Sequence, residues 1–285
     1  VGADEVIDVL VLTHPDRDHY SLIEDVVGDR PIVRAIHSRT LAEYDEGDFN
    51  TWLLAHPADA DDTTTTTTEI VPLVGEVHED ATSDRFDCGD VTFQILSANV
   101  PARSPHAGDD GWNSNGASIV LRVVRGEFSA ILTGDATFDT ERAMREHYAG
   151  SPATLDADLL RIGHHGTSVT STSPEWLDAV TPEVAIVSAG HRGGNWRHPR
   201  CGVIARTMGL ASTVDGAACH EVLCGTEDGA STGTCRITGD DEEDEDWCTS
   251  LTTEPVYDTY SSGDLTFEVT SSDWSLVSTE RGGCG

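Results

Sequence analysis

The chain has 285 residues, 51 of them acidic against 17 basic, for a formal net charge of −34. Every basic side chain other than His is Arg, and Lys is absent. That length buries a substantial core, while the charge repels polyanions at ordinary salt, a repulsion that concentrated salt screens within a few ångströms. With no run of about 18 apolar residues the sequence predicts no membrane span. The opening VGADEVIDVL lacks a basic stretch and a long apolar stretch, so no signal segment is expected in the chain as given.

Taken in chain order, residues 7–13 (IDVLVLT) read as a buried strand and 32–38 as the next. The tract 61–68 (DDTTTTTT) reads as a surface loop, and 91–96 (VTFQIL) alternates as a strand does. Residues 118–124 and 128–133 flank Arg125-Gly126-Glu127 and predict a hairpin. A helix is expected over 139–148 with Asp139 or Thr140 as N-cap. A short strand at 159–162, a helix at 174–180 opened by Pro174, a strand at 184–188 and a helix at 202–210 follow. This alternation predicts layered α/β architecture over 1–210. Residues 211–285 turn to Thr, Ser, Gly, Cys and acidic residues, including DDEEDED at 240–246, and predict a loop-rich acidic extension.

Seven cysteines are present, and Cys219, Cys224, Cys235, Cys248 and Cys284 crowd this extension without a CxxC pair. Disulfides in an exported protein are favoured over a zinc ribbon, so an extracellular or periplasmic location is expected. The odd count leaves at least one thiol unpaired within the chain, and the spacing does not define connectivity.

Three clusters carry potential chemistry. Thr13-His14-Pro15-Asp16-Arg17-Asp18-His19 follows the first strand and places two imidazoles and two carboxylates within six residues. A turn at a strand's end aims such side chains into one pocket, and this donor set suits Zn²⁺, Mn²⁺ or Fe. Leu132-Thr133-Gly134-Asp135 presents a carboxylate after another strand, able to bridge two cations. Arg161-Ile162-Gly163-His164-His165-Gly166-Thr167 adds two histidines; on an extended segment they point apart, so one is expected to ligate and the other to face substrate or support the ligands. A fourth element, GHRGGNWRHP at 190–199, offers Asn195 and His198 as donors to an anionic oxygen, with His191 a weaker candidate.

Together, LTHPDRDH, Asn115-Gly116-Ala117-Ser118-Ile119-Val120, LTGD, GHHGTSVTS, PEVAIVSAG and His198-Pro199 resemble, in order over about residues 5–210, the metallo-β-lactamase superfamily. More narrowly they are similar to the C-terminal domain of DNA-internalisation competence proteins of the ComEC type. The resemblance implies an αββα sandwich with two metals at one edge. It pairs His14 with Asp16 on one metal and Asp18 with His19 on the other, makes Asp135 the bridge, and makes His164 the late ligand in preference to His165. Asp16 stands where the wider superfamily has His, as in the narrower family. The mid-chain ligand histidine has no clear match; Asn115 and His106 fall in that region. The family's N-terminal β-hairpin, some forty residues before the HxDxDH strand, is missing from this sequence, so one sheet edge is expected to lack it.

The implied activity is hydrolysis by a metal-activated water with two divalent ions, Zn or Mn. Asp18 is expected to orient the water, and His198 and His165 to stabilise negative charge or protonate the leaving group. The family points to phosphodiesters, as nuclease or small phosphodiesterase; the charge favours a small phosphodiester, since no basic stripe is present. A degenerate, non-catalytic metal-binding or recognition domain is the competing expectation. No membrane partner is expected, and the oligomeric state is not encoded in any motif.

Overall fold

The computed structural model describes residues 6–44, 48–57, 66–69, 85–190, 197–208, 220–225, 236–237, 247–252 and 255–279. The chain opens with β1 (Ile7–Leu12), the short helix α1 (Ile23–Val27), β2 (Ile32–His37), α2 (Phe49–Leu54) and β3 (Thr66–Glu69). β1, β2 and β3 form a parallel three-stranded sheet in that order. One face, with Leu10, Leu12 and Ala35, packs on Tyr20, Val27, Phe49 and Leu53. The other, with Val9, Val11 and Ile36, packs on Ile95, Ile119 and Leu121. Burial on both faces is why the β1 run is nearly all apolar. β3 corrects the loop expected over 61–68: Thr66 to Thr68 pair with Arg34 to Ile36, because β-branched side chains suit a strand once a partner edge is offered. Residues 61–65 lie outside the described residues.

The second sheet follows. β4 (Arg85–Cys88) and β5 (Val91–Ser97) precede α3 (Asp110–Gly116). β6 (Val120–Arg125) and β7 (Phe128–Leu132) form the expected hairpin, and α4 (Phe138–His147) leads to β8 (Leu159–Arg161). After α5 (Pro174–Val180) come β9 (Val184–Val187) and α6 (Cys201–Met208). The order is β13-β9-β8-β7-β6-β5-β4, where β13 is Val256–Asp258. β4 to β7 run antiparallel and β7, β8, β9 and β13 parallel. Leu96, Val120, Ile131 and Leu160 meet Met144, Trp176, Leu177 and Val180 of the helices on its outer face. Helices, sheet, sheet and helices therefore stack as an αββα sandwich.

α4 starts one residue earlier than expected, with Thr137 at the N-cap position. Asp139 is not the cap: its carboxylate accepts from the Arg103 backbone N–H (2.8 Å) and Trp112 Nε1 (3.2 Å), which fastens the segment before α3 to α4. α3 itself was not foreseen. Asp109 caps it by accepting from Trp112 N, and Gly116 is required because a Cβ there would lie 2.4 Å from Val100 O.

After residue 210 the described residues are more regular than their texture predicts. β10 (His220–Gly225), β11 (Arg236–Ile237) and β12 (Trp247–Thr252) form an antiparallel sheet, β13 lengthens the large sheet, and β14 (Leu265–Val269) pairs with β15 (Trp274–Thr279). Phe267, Val269 and Trp274 of this last hairpin cover Phe128, Ala130 and Leu159. A disulfide joins Cys201 of α6 to Cys224 of β10, and Cys88 is free and exposed. Cys219, Cys235 and Cys284 lie outside the described residues. No helix among them is long and apolar enough to cross a membrane.

Candidate metal centre

Three strand ends build the site. β7 and β8 are adjacent and parallel, so the segments after them, Gly134-Asp135 and Gly163 to His165, emerge side by side. The end of β1 joins them through Ile119 N–H donating to Thr13 O at 2.9 Å. Gly134 turns with φ +55°, and a Cβ there would sit 2.9 Å from Ser118 Oγ. That hydroxyl instead accepts from Asp135 N–H at 2.8 Å and fixes the carboxylate.

The His164-His165 segment is not extended. Both residues have positive φ, +46° and +52°, in a tight turn whose backbone begins with His164 N–H donating to Gly134 O at 3.1 Å. The expectation that the two rings diverge is thereby corrected. Each Nε2 lies 3.7 Å from Asp135 Oδ2. Non-glycine residues in this region cost on the order of 1–3 kcal/mol each and persist where the surroundings enforce them.

Around Asp135 the other groups fall into place. His14 is fully buried, its Nε2 3.6 Å from Asp16 Oδ2, 3.9 Å from Asp135 Oδ2 and without a hydrogen-bond partner. His19 Nε2 is 3.1 Å from Asp135 Oδ1 and 3.2 Å from His165 Nε2. His165 Nε2 is also 3.1 Å from Asp18 Oδ2. His14, His19 and Asp135, and likewise Asp18, His19 and His165, offer ligand atoms that all lie within 4.8 Å of one another. A buried, unpartnered imidazole nitrogen facing two carboxylates suits a cation, and the mixed nitrogen and oxygen donors suit Zn²⁺ or Mn²⁺.

Electrostatics keep the three carboxylates, His19 and His164 in binding form. Burial opposes ionisation of Asp135, but the His19 contact and the rings of His14 and His165 outweigh it and hold the carboxyl well below the usual range. The hydrogen bond from His165, with His19 nearby, draws Asp18 down to about 2 despite partial burial. At Asp16 burial is outweighed by His14 and the Ser114 hydroxyl, and the carboxyl is lowered. Burial lowers His19 and His164, favouring the neutral, ligating ring. At His165 burial is outweighed by Asp18 and Asp135, and its pKa rises. Burial, with His164 and Arg200 nearby, pushes His198 down to about 4.

Several supporting groups carry no sequence signature. Ser114 Oγ donates to Asp16 Oδ1, 98 residues away. Thr170 Oγ1 lies 2.8 Å from His164 Nδ1, and His165 Nδ1–H donates to Ser188 O at 2.7 Å, which leaves both Nε2 atoms aimed inward. Arg161 Nη1 donates to Gly134 O at 2.6 Å and lies 4.0 Å from Asp135 Oδ1. Of the mid-chain candidates, His106 stacks flat on Trp112, centroids 3.7 Å apart, while Asn115 Oδ1 is buried without a hydrogen-bond partner. His198 stands with its ring centroid 6.2 Å from that of His164. His191 and Asn195 lie outside the described residues.

No family model matches the chain. It is 28% identical over 193 residues to the ComE operon protein 3 of Bacillus subtilis, covering 68% of this chain and 21% of that protein. It is 38% identical over 127 residues to Recombination protein 2 of Haemophilus influenzae, covering 44% of this chain and 14% of that one. The chain thus spans about a fifth or less of the length of these curated relatives. Among solved structures, CmlA, a diiron beta-hydroxylase from Streptomyces venezuelae, aligns with 64% of this chain and 35% of its own, at 15% identity and a TM-score of 0.39. The chain is therefore similar in sequence to the ComE operon protein and to the recombination protein, over at most 68% of its own length.

Proposed function

We propose that this chain is a metal-dependent hydrolase of phosphodiesters, a nuclease or small phosphodiesterase. The observation that carries the reading is the convergence of His14, Asp16, Asp18, His19, His164 and His165 from two strand ends on the buried carboxylate of Asp135. In the proposed arrangement His14 and Asp16 would hold one ion and Asp18 and His19 the other, with Asp135 the carboxylate available to both and His164 completing the ligand set. His165, assigned a catalytic part from sequence, stands among Asp18 and His19 and shares the second half-site. Two divalent ions, Zn or Mn, would supply Lewis acidity and a water acidified to neutral pH.

The chain's own groups supply the rest. Asp18 is ionised and solvent-facing, so it can accept a hydrogen bond from an attacking water and orient it. His198 is neutral at physiological pH, so it offers an N–H to a developing negative oxygen rather than a proton to a leaving group. The Cys201–Cys224 disulfide fits an extracellular or periplasmic setting. One relative is named Recombination protein 2, and recombination acts on nucleic acid, which supports a phosphodiester substrate.

A second reading, a non-catalytic metal-binding module, is favoured by one observation: His106 is committed to Trp112, so among the described residues no mid-chain histidine joins the cluster. Metal content and turnover of bis(4-nitrophenyl) phosphate separate the two. Turnover abolished by a chelator and by Asp18→Ala supports the enzyme. Stoichiometric metal with no turnover of that ester, DNA or RNA supports the module.

A further inference from the structure

The protein's charge poses a problem for a phosphodiesterase, since an anionic substrate must approach a chain of net charge −34. A local cation at the site edge answers it. β1 and β2 are in parallel register with Leu12 beside His37. Ser38 Oγ continues that register by donating to Thr13 O at 2.8 Å. Arg39 follows Ser38 directly. Its half-buried side chain crosses to α3, where Nη2 donates to Asn113 O at 3.1 Å. Asn113 is the neighbour of Ser114, whose hydroxyl holds Asp16. The guanidinium thus reaches a carbonyl one residue away from the serine that grips Asp16, on the flank of the first half-site.

Three features mark Arg39 as more than a brace. It has no ion-pair partner among the described residues, in a chain with three times as many acids as bases. One hydrogen bond to a carbonyl leaves most of its five donors uncommitted. Its backbone is left-handed, φ +58°, a conformation Arg adopts only under constraint. The constraint is visible: the buried His37 ring donates from Nδ1 to Arg39 O at 3.0 Å. A strained backbone held in place to aim a side chain is a feature of binding sites.

We propose that Arg39 is the anion-recognition residue of this site, taking a non-bridging oxygen of a phosphodiester beside the half-site of His14 and Asp16. A planar guanidinium suits such an oxygen pair. The proposal rests on the phosphodiester reading for its substrate and deepens it by giving the acidic protein a specificity device.

The test compares wild type, Arg39→Asn and Arg39→Lys, all supplied with Mn²⁺. Asn takes the left-handed backbone readily, so a defect in that variant is not a backbone defect. For bis(4-nitrophenyl) phosphate, Arg39→Asn is expected to raise KM about tenfold with a much smaller change in kcat, and Arg39→Lys to recover part of the loss. The affinity for inorganic phosphate, measured by calorimetry, is expected to fall by a similar factor. Unchanged KM and unchanged phosphate affinity in Arg39→Asn overturn the proposal while leaving the hydrolase reading intact. If no form turns over the ester, the hydrolase reading fails, and phosphate affinity decides on Arg39 by itself: weaker in Arg39→Asn supports it, equal or absent in wild type overturns it.

Discussion

The two halves of the candidate metal centre are built differently. His14 has no solvent exposure, and Asp16 beside it is 40% exposed and gripped by Ser114. In the other half the Asp18 side chain is 65% exposed and is held by His165 and by its own backbone N–H. His164 is braced from behind as well. Thr170 meets its Nδ1, and the loop carrying Thr170 is clamped by Glu141, which accepts from the Thr172 and Ser173 backbone N–H groups, and by Arg206, which donates to Thr172 O and Ser168 O. On the proposed arrangement the difference implies a division of labour: the buried, braced half would retain its cation, and the open half would admit the attacking water.

The largest effect that would break this comparison is expected at the shared carboxylate. Asp135→Ala should remove both metal equivalents and all turnover, read by metal analysis of the purified chain. Asp18→Ala should sharpen it, because only the open half is lost: kcat falls about 10²–10⁴-fold while the first equivalent stays bound. Loss of both equivalents in Asp18→Ala would contradict the division.

The brace has its own pH signature. Burial raises Glu141 to about 7 from an unperturbed value near 4.5, against the hydrogen bonds it accepts. Below the lower value the carboxyl is protonated in folded and unfolded chains alike. As pH rises toward 7 the unfolded chain releases the proton and the folded one retains it, so stability drains away by roughly 3 kcal/mol. Thermal melts from pH 4.5 to 8 should show wild type losing stability relative to Glu141→Gln; parallel curves would contradict it. The smallest effect is expected at Thr170→Val, which should weaken metal binding by about 10–100-fold through loss of the contact to His164, with Thr170→Ser restoring most of it.

Much of this was legible in the sequence. β1 shows as an apolar run because it is buried on both faces, and HPDRDH stands out because four donor groups crowd its end. The β6–β7 hairpin shows through its Arg125-Gly126-Glu127 turn. Other parts were not legible, for physical reasons. The paired left-handed turn at His164 and His165 is enforced by neighbours, while the local pattern suggests an extended segment. The Ser114 contact to Asp16 joins residues that only the fold brings together. β3 is built from threonines that need the edge of β2 to become a strand. His106 has ligand chemistry, but stacking on Trp112 claims it.

The most direct measurement is a calorimetric titration of the metal-free chain with Mn²⁺, paired with turnover of bis(4-nitrophenyl) phosphate. The account predicts two equivalents per chain, none in Asp135→Ala, and turnover that rises with occupancy and disappears with chelator. A wild-type chain that binds no divalent ion, or cleaves the ester equally well after chelation, would contradict it.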